Sequence, residues 1–156
     1  MKFRQLFETW NLTGLKIKAS FLEMDWKPNT ADQDAAWELY VELLTRVTIQ
    51  ALQKNEGTEE AALSSIYSLI KITRDVLKYH GRECVAFSKV AVVILNQVIR
   101  PFTAKWHKIV EAGNLTEEQT NEFREELSHL QGQLISYTHM LAEIAEVEDI
   151  TNIETT

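Results

Sequence analysis

The last third of the sequence carries an apolar stripe whose spacing leaves little choice of structure. Its members recur at alternating intervals of four and three residues: Phe123, Leu127, Leu130, Leu134, Tyr137, Leu141 and Ile144. This is the a/d pattern that lets one helix lie along another at a shallow crossing angle. Directly ahead of it, Thr116 and Gln119 have the spacing of a capping box. The pattern predicts one long helix and a chain built from packed helices.

Three further long helices are predicted upstream from apolar periodicity, over residues 30–54, 58–81 and 82–113. Thr30 and Gln33 have capping-box spacing at the first of these starts. Gly81 stands where a helix C-cap glycine is expected. Pro101 removes a backbone donor inside the third helix and predicts a kink there.

The N-terminal quarter is less regular. Residues 3–10 read as a short amphipathic helix, because their apolar side chains are spaced to share one face. Residues 15–26 alternate apolar and polar like a strand, but no second strand is predicted to pair with them. We therefore expect an extended arm packed on the helices.

Together these elements predict an all-α fold: a single bundle of four long helices, one kinked at Pro101, with a short N-terminal helix and an extended arm. The chain has five Gly and two Pro and no linker-like tract, so residues 1–148 are expected to form one domain. Five acidic residues from Glu143 onward predict an acidic, flexible tail over 149–156.

The net charge limits the classes of molecule that this protein is expected to bind. A formal net charge of −7 disfavours general nucleic-acid binding, since phosphate backbones require clustered cations. The lone Cys84 fits a reducing compartment. No signal-peptide pattern opens the chain, and the apolar run 85–99 is interrupted and short for a bilayer. A cytoplasmic protein without a membrane span is expected, and no cofactor or metal site is predicted.

Arg74 and His80 are the candidates for catalysis. An arginine followed four to six residues later by a histidine, with a polar residue after the arginine, resembles the signature of HEPN ribonucleases, which are small, usually dimeric all-α proteins. The resemblance implies that Arg74 stabilises a strained phosphate and that His80 moves protons. The same residues also fit a capped helix end, with His80 interacting with the C-terminal helix dipole.

A second group of side chains suggests an interaction surface instead. Aromatic residues anchor interfaces because they bury large areas at low entropy cost, although helical spacing also fits core packing. Uncharged polar residues on the last helix tolerate contact with another chain. The candidates are Arg100, Phe102, Lys105, Trp106, His107, Gln133, Ser136 and Tyr137.

Segments 36–46, 93–107 and 122–127 look like those of small all-α bacterial proteins to which we attach no activity, and the similarity runs over about residues 15–150. It implies an intact domain and an accessory role. Our first interpretation is a non-enzymatic helical module that binds another protein or itself as a homodimer, in a bacterial conflict or defence system. The alternatives are a HEPN-like ribonuclease or toxin and a small subunit of a nucleoprotein complex using Arg100–Lys108. Whether the 123–144 stripe is core or interface stays open.

Overall fold

The computed structural model describes residues 1–46 and 58–154, and these residues form helices and no named strand. The predicted all-α fold is confirmed. The helices are α1 (Phe3–Thr9), α2 (Ala19–Leu22), α3 (Thr30–Leu44), α4 (Glu59–His80), α5 (Val85–Ile94), α6 (Arg100–Glu111) and α7 (Glu117–Ala145).

The long helix α7 supplies the centre of the core. Thr116 caps it, with the Thr116 hydroxyl accepting from Gln119 N and the Gln119 side chain accepting from Thr116 N, both at 3.0 Å. Every member of the 123–144 stripe is buried, and α7 packs chiefly against α3. The stripe is therefore core of this chain, which the sequence alone left open.

The N-cap of helix α3 lies one residue before the predicted one. Asn29, not Thr30, is the N-cap, and its partner in the capping box is Asp32. Asp32 is only 1% exposed, and its Oδ1 also accepts a 2.9 Å hydrogen bond from the backbone N of Phe87. This carboxylate thus joins the starts of α3 and α5. Helix α3 ends at Leu44, and the rest of the predicted helix, from residue 47 on, lies outside the described residues.

Helix α4 has the predicted boundaries. Thr58 caps its start by accepting from Ala61 N, and Gly81 ends it in the left-handed region at φ 68°, where a glycine meets no Cβ penalty. A 3₁₀ turn, Gly81–Glu83, follows, so α5 begins at Val85 and not at residue 82 as predicted.

Helix runs without a break from Val85 to Glu111, through Pro101. A π-helical segment, Leu95–Ile99, lies directly ahead of Pro101, and the N–H of Arg100 bonds to the carbonyl of Leu95. A π turn is a common way for a helix to absorb a local irregularity. Pro101 sits in the first turn of α6, where its missing N–H costs least.

This 27-residue helix is the one candidate membrane span in the described part of the chain, by length and composition. Within its most apolar window, 44% of the residues are buried inside the protein, and the helix packs against α3, α4 and α7. A core helix of a soluble protein passes the same length and composition test, so a soluble protein is plausible.

The predicted arm, 15–26, is not extended throughout, because it contains the helical turn α2. The Gln97 side chain holds it on the bundle by accepting from Lys16 N at 2.8 Å and donating to Lys16 O at 2.9 Å. The ring centroids of Phe21 and of Phe3 in α1 lie 4.4 Å apart. These contacts hold the arm in one position beside α5.

The C-terminal residues from 149 contact the helices. Tyr40, which is 1% exposed, donates to Asp149 and accepts from Ile150 N at 2.8 Å. Asp149 Oδ2 lies 2.5 Å from His139 Nδ1. Burial raises the pKa of Asp149, but hydrogen bonds from Thr151 and His139 more than offset it, so the pKa is lowered overall. The acidic flexible tail over 149–156 stays a prediction, with these contacts at its start.

Candidate functional site

A groove of about 630 Å³ lies between the arm and α5, and we call it the basic groove. The arm contributes residues 16–18 and Phe21, and the 3₁₀ turn contributes Gly81 and Arg82. Helix α5 contributes Val85, Ser88, Lys89, Val92 and Val93. Val85 and Val92 are 53% and 45% exposed. Large exposed apolar side chains that share a concave surface mark a binding site more often than scattered ones do.

The charged side chains that line this groove in the described part of the chain are positive. Among residues 1–46 and 58–154, its lining includes Lys16, Lys18, Arg82 and Lys89 and no Asp or Glu. Glu83, next along the chain, lines an adjoining cleft that shares Arg82, Val85 and Lys89 with this groove and also contains Asp25 and Asp32. In a chain with a net charge of −7, such a local cluster of cations needs an explanation.

Three of these cations have no partner within residues 1–46 and 58–154. Ion pairs elsewhere on the surface join Lys2 to Asp25, Arg4 to Glu23 and Lys71 to Asp75. The side chains of Lys16, Lys18 and Arg82 form no such pair and no hydrogen bond there. The fourth cation, Lys89, lies 5.8 Å from the Phe21 ring centroid and 6.0 Å from that of Phe3.

The candidate catalytic pair is not brought together on one face. Helix α4 is continuous from Arg74 to His80, and six residues of α-helix turn a side chain through about 600°, or 240° net. Arg74 is exposed. The His80 side chain is 9% exposed, and its Nε2 lies 3.0 Å from Glu38 Oε1 of α3 without hydrogen-bond alignment. This placement fits the second interpretation, a packed helix end.

The aromatic interaction candidates are core residues. Phe102, Trp106 and Tyr137 are 6%, 1% and 2% exposed. Phe102 and Trp106 both pack on Phe123 of α7, with ring centroids 5.4 and 5.2 Å apart. Their helical spacing reflected burial, so they cannot anchor a partner on the surface of this chain.

The polar interaction candidates are dispersed over two helices. Lys105 bridges Glu122 and Glu126 at 2.7 Å each, and hydrogen bonds to these two carboxylates raise the pKa of Lys105. His107 lies 3.4 Å from Glu111 and stacks on Tyr67. Arg100 is exposed, and Gln133 and Ser136 are half-buried on α7. Carboxylates thus neutralise Lys105, one of the three formal cations of the Arg100–Lys108 cluster.

The hydroxyl of Tyr137 gives a pH-dependent test of whether this side chain is buried. Its hydroxyl is buried with no hydrogen-bond partner in the described chain, and burial raises the pKa of Tyr137 above its ordinary value of 10.0. The unfolded chain therefore loses this proton first, and stability present below pH 10 falls as the pH rises further.

We expect Tyr137→Phe to be neutral or stabilising at pH 7, because it removes an unsatisfied polar group. Above pH 10 the wild type should lose about 1.4 kcal/mol per pH unit relative to the variant. Urea unfolding at pH 7, 10 and 11 measures both effects. Equal alkaline losses in the two proteins would contradict the burial of this hydroxyl.

Sequence reasoning missed the residues of the basic groove. Two signals were present: the alternation of Lys16 and Lys18 with apolar neighbours, and an α5 sequence that is apolar on every side. The first pattern predicts an arm packed on the helices, and the second is typical of a helix surrounded by protein. Neither pattern states that the arm leaves one side of α5 uncovered.

Within the described residues, no three His, Cys, Asp or Glu side chains converge as a metal site would require. Comparison with known proteins finds no family model, no curated protein and no solved structure that matches this chain.

Proposed function

We propose that this protein is a non-enzymatic helical interaction module that binds an acidic amphipathic helix of a partner protein in the basic groove. The observation that carries the proposal is the set of cations without acidic partners, Lys16, Lys18 and Arg82, around the exposed Val85 and Val92. The groove offers apolar contact along its floor and positive charge at its rim. An amphipathic helix with acidic flanks is the complementary surface.

The dimensions suit a helix. Val85 and Val92 are seven residues apart on α5 and so about 10.5 Å apart along its axis. Two turns of a partner helix span the same length and present apolar side chains at i, i+3, i+4 and i+7. The opposite wall, the arm, is fixed by the two hydrogen bonds between the Gln97 side chain and the backbone of Lys16. A wall that is already in place lowers the ordering cost of binding.

The alternatives lack a comparable observation. A ribonuclease would need Arg74 and His80 at one phosphate, whereas His80 packs beside Glu38. A nucleoprotein subunit would use a cluster in which Lys105 already bridges two carboxylates. The floor of the basic groove is apolar, which suits a protein side-chain surface better than a phosphate backbone. The proposal keeps the cytoplasmic location, the accessory role in a bacterial conflict or defence system, and homodimer formation as expectations.

A matched pair of helical peptides tests the proposal. Both carry leucines at i, i+3, i+4 and i+7, and the flanks are glutamate in one and lysine in the other. We expect fluorescence anisotropy to show saturable binding of the acidic peptide, weakened by salt, and at least tenfold weaker binding of the basic one. Equal affinities for the two peptides would exclude charge recognition in this groove.

Charge-reversal variants locate the binding. Lys18→Glu with Arg82→Glu should weaken the acidic peptide at least tenfold, which is about 1.4 kcal/mol. The control Lys78→Glu with Lys108→Glu makes the same change in net charge at two exposed positions outside the groove. Gln97→Ala leaves every charge in place but frees the arm wall, and it should weaken binding as well. Equal losses in test and control variants would place the peptide elsewhere.

A further inference from the structure

A second groove lies on another part of the surface, between α3 and α4, with a volume of about 640 Å³. Its most unusual feature is a pair of exposed aromatic side chains. Trp37 of α3 is 48% exposed and Tyr79 of α4 is 80% exposed. The floor between the two helices is apolar and includes Val41 and Ile72. Exposed aromatic rings beside an apolar floor are typical of surfaces that anchor a partner.

The charges of this groove are opposite to those of the first. Its lining, as far as the structure describes the chain, contains Glu38, Glu42 and Asp75 and no Lys or Arg. We call it the acidic groove. Aromatic faces and carboxylates attract the same ligand group, a cation, because the ring face and the carboxylate both carry negative potential.

The acidic side chains already have neighbours at the edge of the groove. Arg46, two residues beyond the end of α3, pairs with Glu42 at 2.9 Å, and Lys71 pairs with Asp75 of the same helix at 2.6 Å. Glu38 lies 3.0 Å from His80. In the Lys71–Asp75 pair both side chains are more than half exposed. Such exposed pairs contribute little and exchange readily with a competing cation. The Arg46–Glu42 pair is less exposed, and Arg46 also donates to Ser68 at 2.9 Å. Of these two carboxylates, Asp75 is therefore the one that a competing cation reaches more easily.

We propose that the acidic groove binds a Lys- or Arg-bearing peptide segment of a partner protein. The cationic heads would lie against Trp37, Tyr79 and the carboxylates, and the apolar stems and neighbours against Val41 and Ile72. A guanidinium suits this setting best, since it stacks on aromatic rings and forms bidentate bonds with carboxylates. This surface is separate from the basic groove and goes beyond the proposed function. A module with both grooves joins two partners of opposite charge.

Titration with a dodecapeptide tests this proposal. The peptide alternates arginine with leucine and glycine, and its control replaces each arginine by the neutral isostere citrulline. We expect saturable binding of the arginine peptide by isothermal calorimetry, weakened by salt, and at least tenfold weaker binding of the citrulline peptide. Equal binding of both would overturn cation recognition.

Two variants assign the site. Glu38→Gln with Asp75→Asn removes two groove charges and should weaken the arginine peptide about tenfold, and Tyr79→Ala should weaken it severalfold. Tyr79 is mostly exposed, so its removal leaves the fold intact. The control Glu118→Gln with Glu125→Gln makes the same charge change on the exposed side of α7 and should have no effect beyond that of net charge.

The two grooves are tested independently. Lys18→Glu with Arg82→Glu should weaken binding of the acidic helical peptide at least tenfold and leave the arginine peptide's affinity unreduced. If the arginine peptide binds the Glu38/Asp75 variant as tightly as it binds the wild type, this second surface is wrong whatever the first experiment shows. If only the acidic peptide fails to bind, the proposal for the basic groove is wrong and the proposal for the acidic groove is unaffected.

Discussion

Replacing Leu134 by alanine is expected to lower the free energy of unfolding by about 2–5 kcal/mol. The Leu134 side chain is fully buried, at the middle of α7 and in the helix that packs chiefly on α3. The loss combines the transfer of the removed groups with the cavity they leave, since a densely packed core collapses only partly into such a cavity. Urea denaturation followed by far-UV circular dichroism measures the change.

An exposed apolar residue provides the control. Val92→Ala on α5 removes methyl groups from a side chain that is 45% exposed, and we expect a change within about 0.5 kcal/mol. The same variant should weaken the acidic peptide in the basic groove. If Leu134→Ala cost no more than Val92→Ala, the 123–144 stripe would be exposed in solution and available to a partner helix.

Asp32→Ala is expected to cost about 2–4 kcal/mol, the second large effect. The carboxylate accepts from Asn29 N in the capping box and from Phe87 N at the start of α5, both at 2.9 Å. Its removal leaves the buried Phe87 N–H without an acceptor, which costs roughly 1–3 kcal/mol. Loss of the hydrogen bond from Asn29 N adds about 1 kcal/mol, while the Asn29 side chain still accepts from the backbone N of residue 32.

Two further substitutions separate these contributions. Asp32→Asn keeps one carbonyl oxygen, which can still accept from Phe87 N, and we expect it to recover about half of the loss. Asp34→Ala removes an exposed carboxylate two residues away on α3 and should change stability by less than about 0.5 kcal/mol. A loss in Asp32→Ala no larger than in Asp34→Ala would show that the link between α3 and α5 does not stabilise the fold. Thermal unfolding of the three variants gives the comparison.

Helix ends were predictable where local chemistry decides them. Thr58, Gly81 and Thr116 all act as expected, because a cap depends on residues within one turn. At the start of α3 two overlapping capping patterns compete, Asn29 with Asp32 and Thr30 with Gln33. The first is used because Asp32 also meets Phe87. That contact joins residues far apart in the chain, and periodicity carries no information about it.

The candidate site was less predictable for the same reason. Both grooves are built by segments that are distant in sequence. Lys18 and Val85 line the basic groove, and Trp37 and Tyr79 line the acidic groove. Conversely, Phe102, Trp106 and Tyr137 stood beside polar residues and suggested a surface, yet all three are buried. An amphipathic pattern identifies the inward face of a helix, but the outward residues that a neighbouring segment leaves uncovered depend on the tertiary fold.

The π segment before Pro101 has a geometric consequence for the long central helix. Buried residues recur there at intervals of four: Ile94, Val98, Phe102, Trp106 and Val110. In a regular α-helix, 16 residues at about 100° each would leave Val110 about 160° out of phase with Ile94. A π turn takes up one extra residue, which reduces the mismatch to about 60°. The helix thereby accommodates one extra residue within its apolar repeat. The buried residues near both of its ends therefore point into the same core.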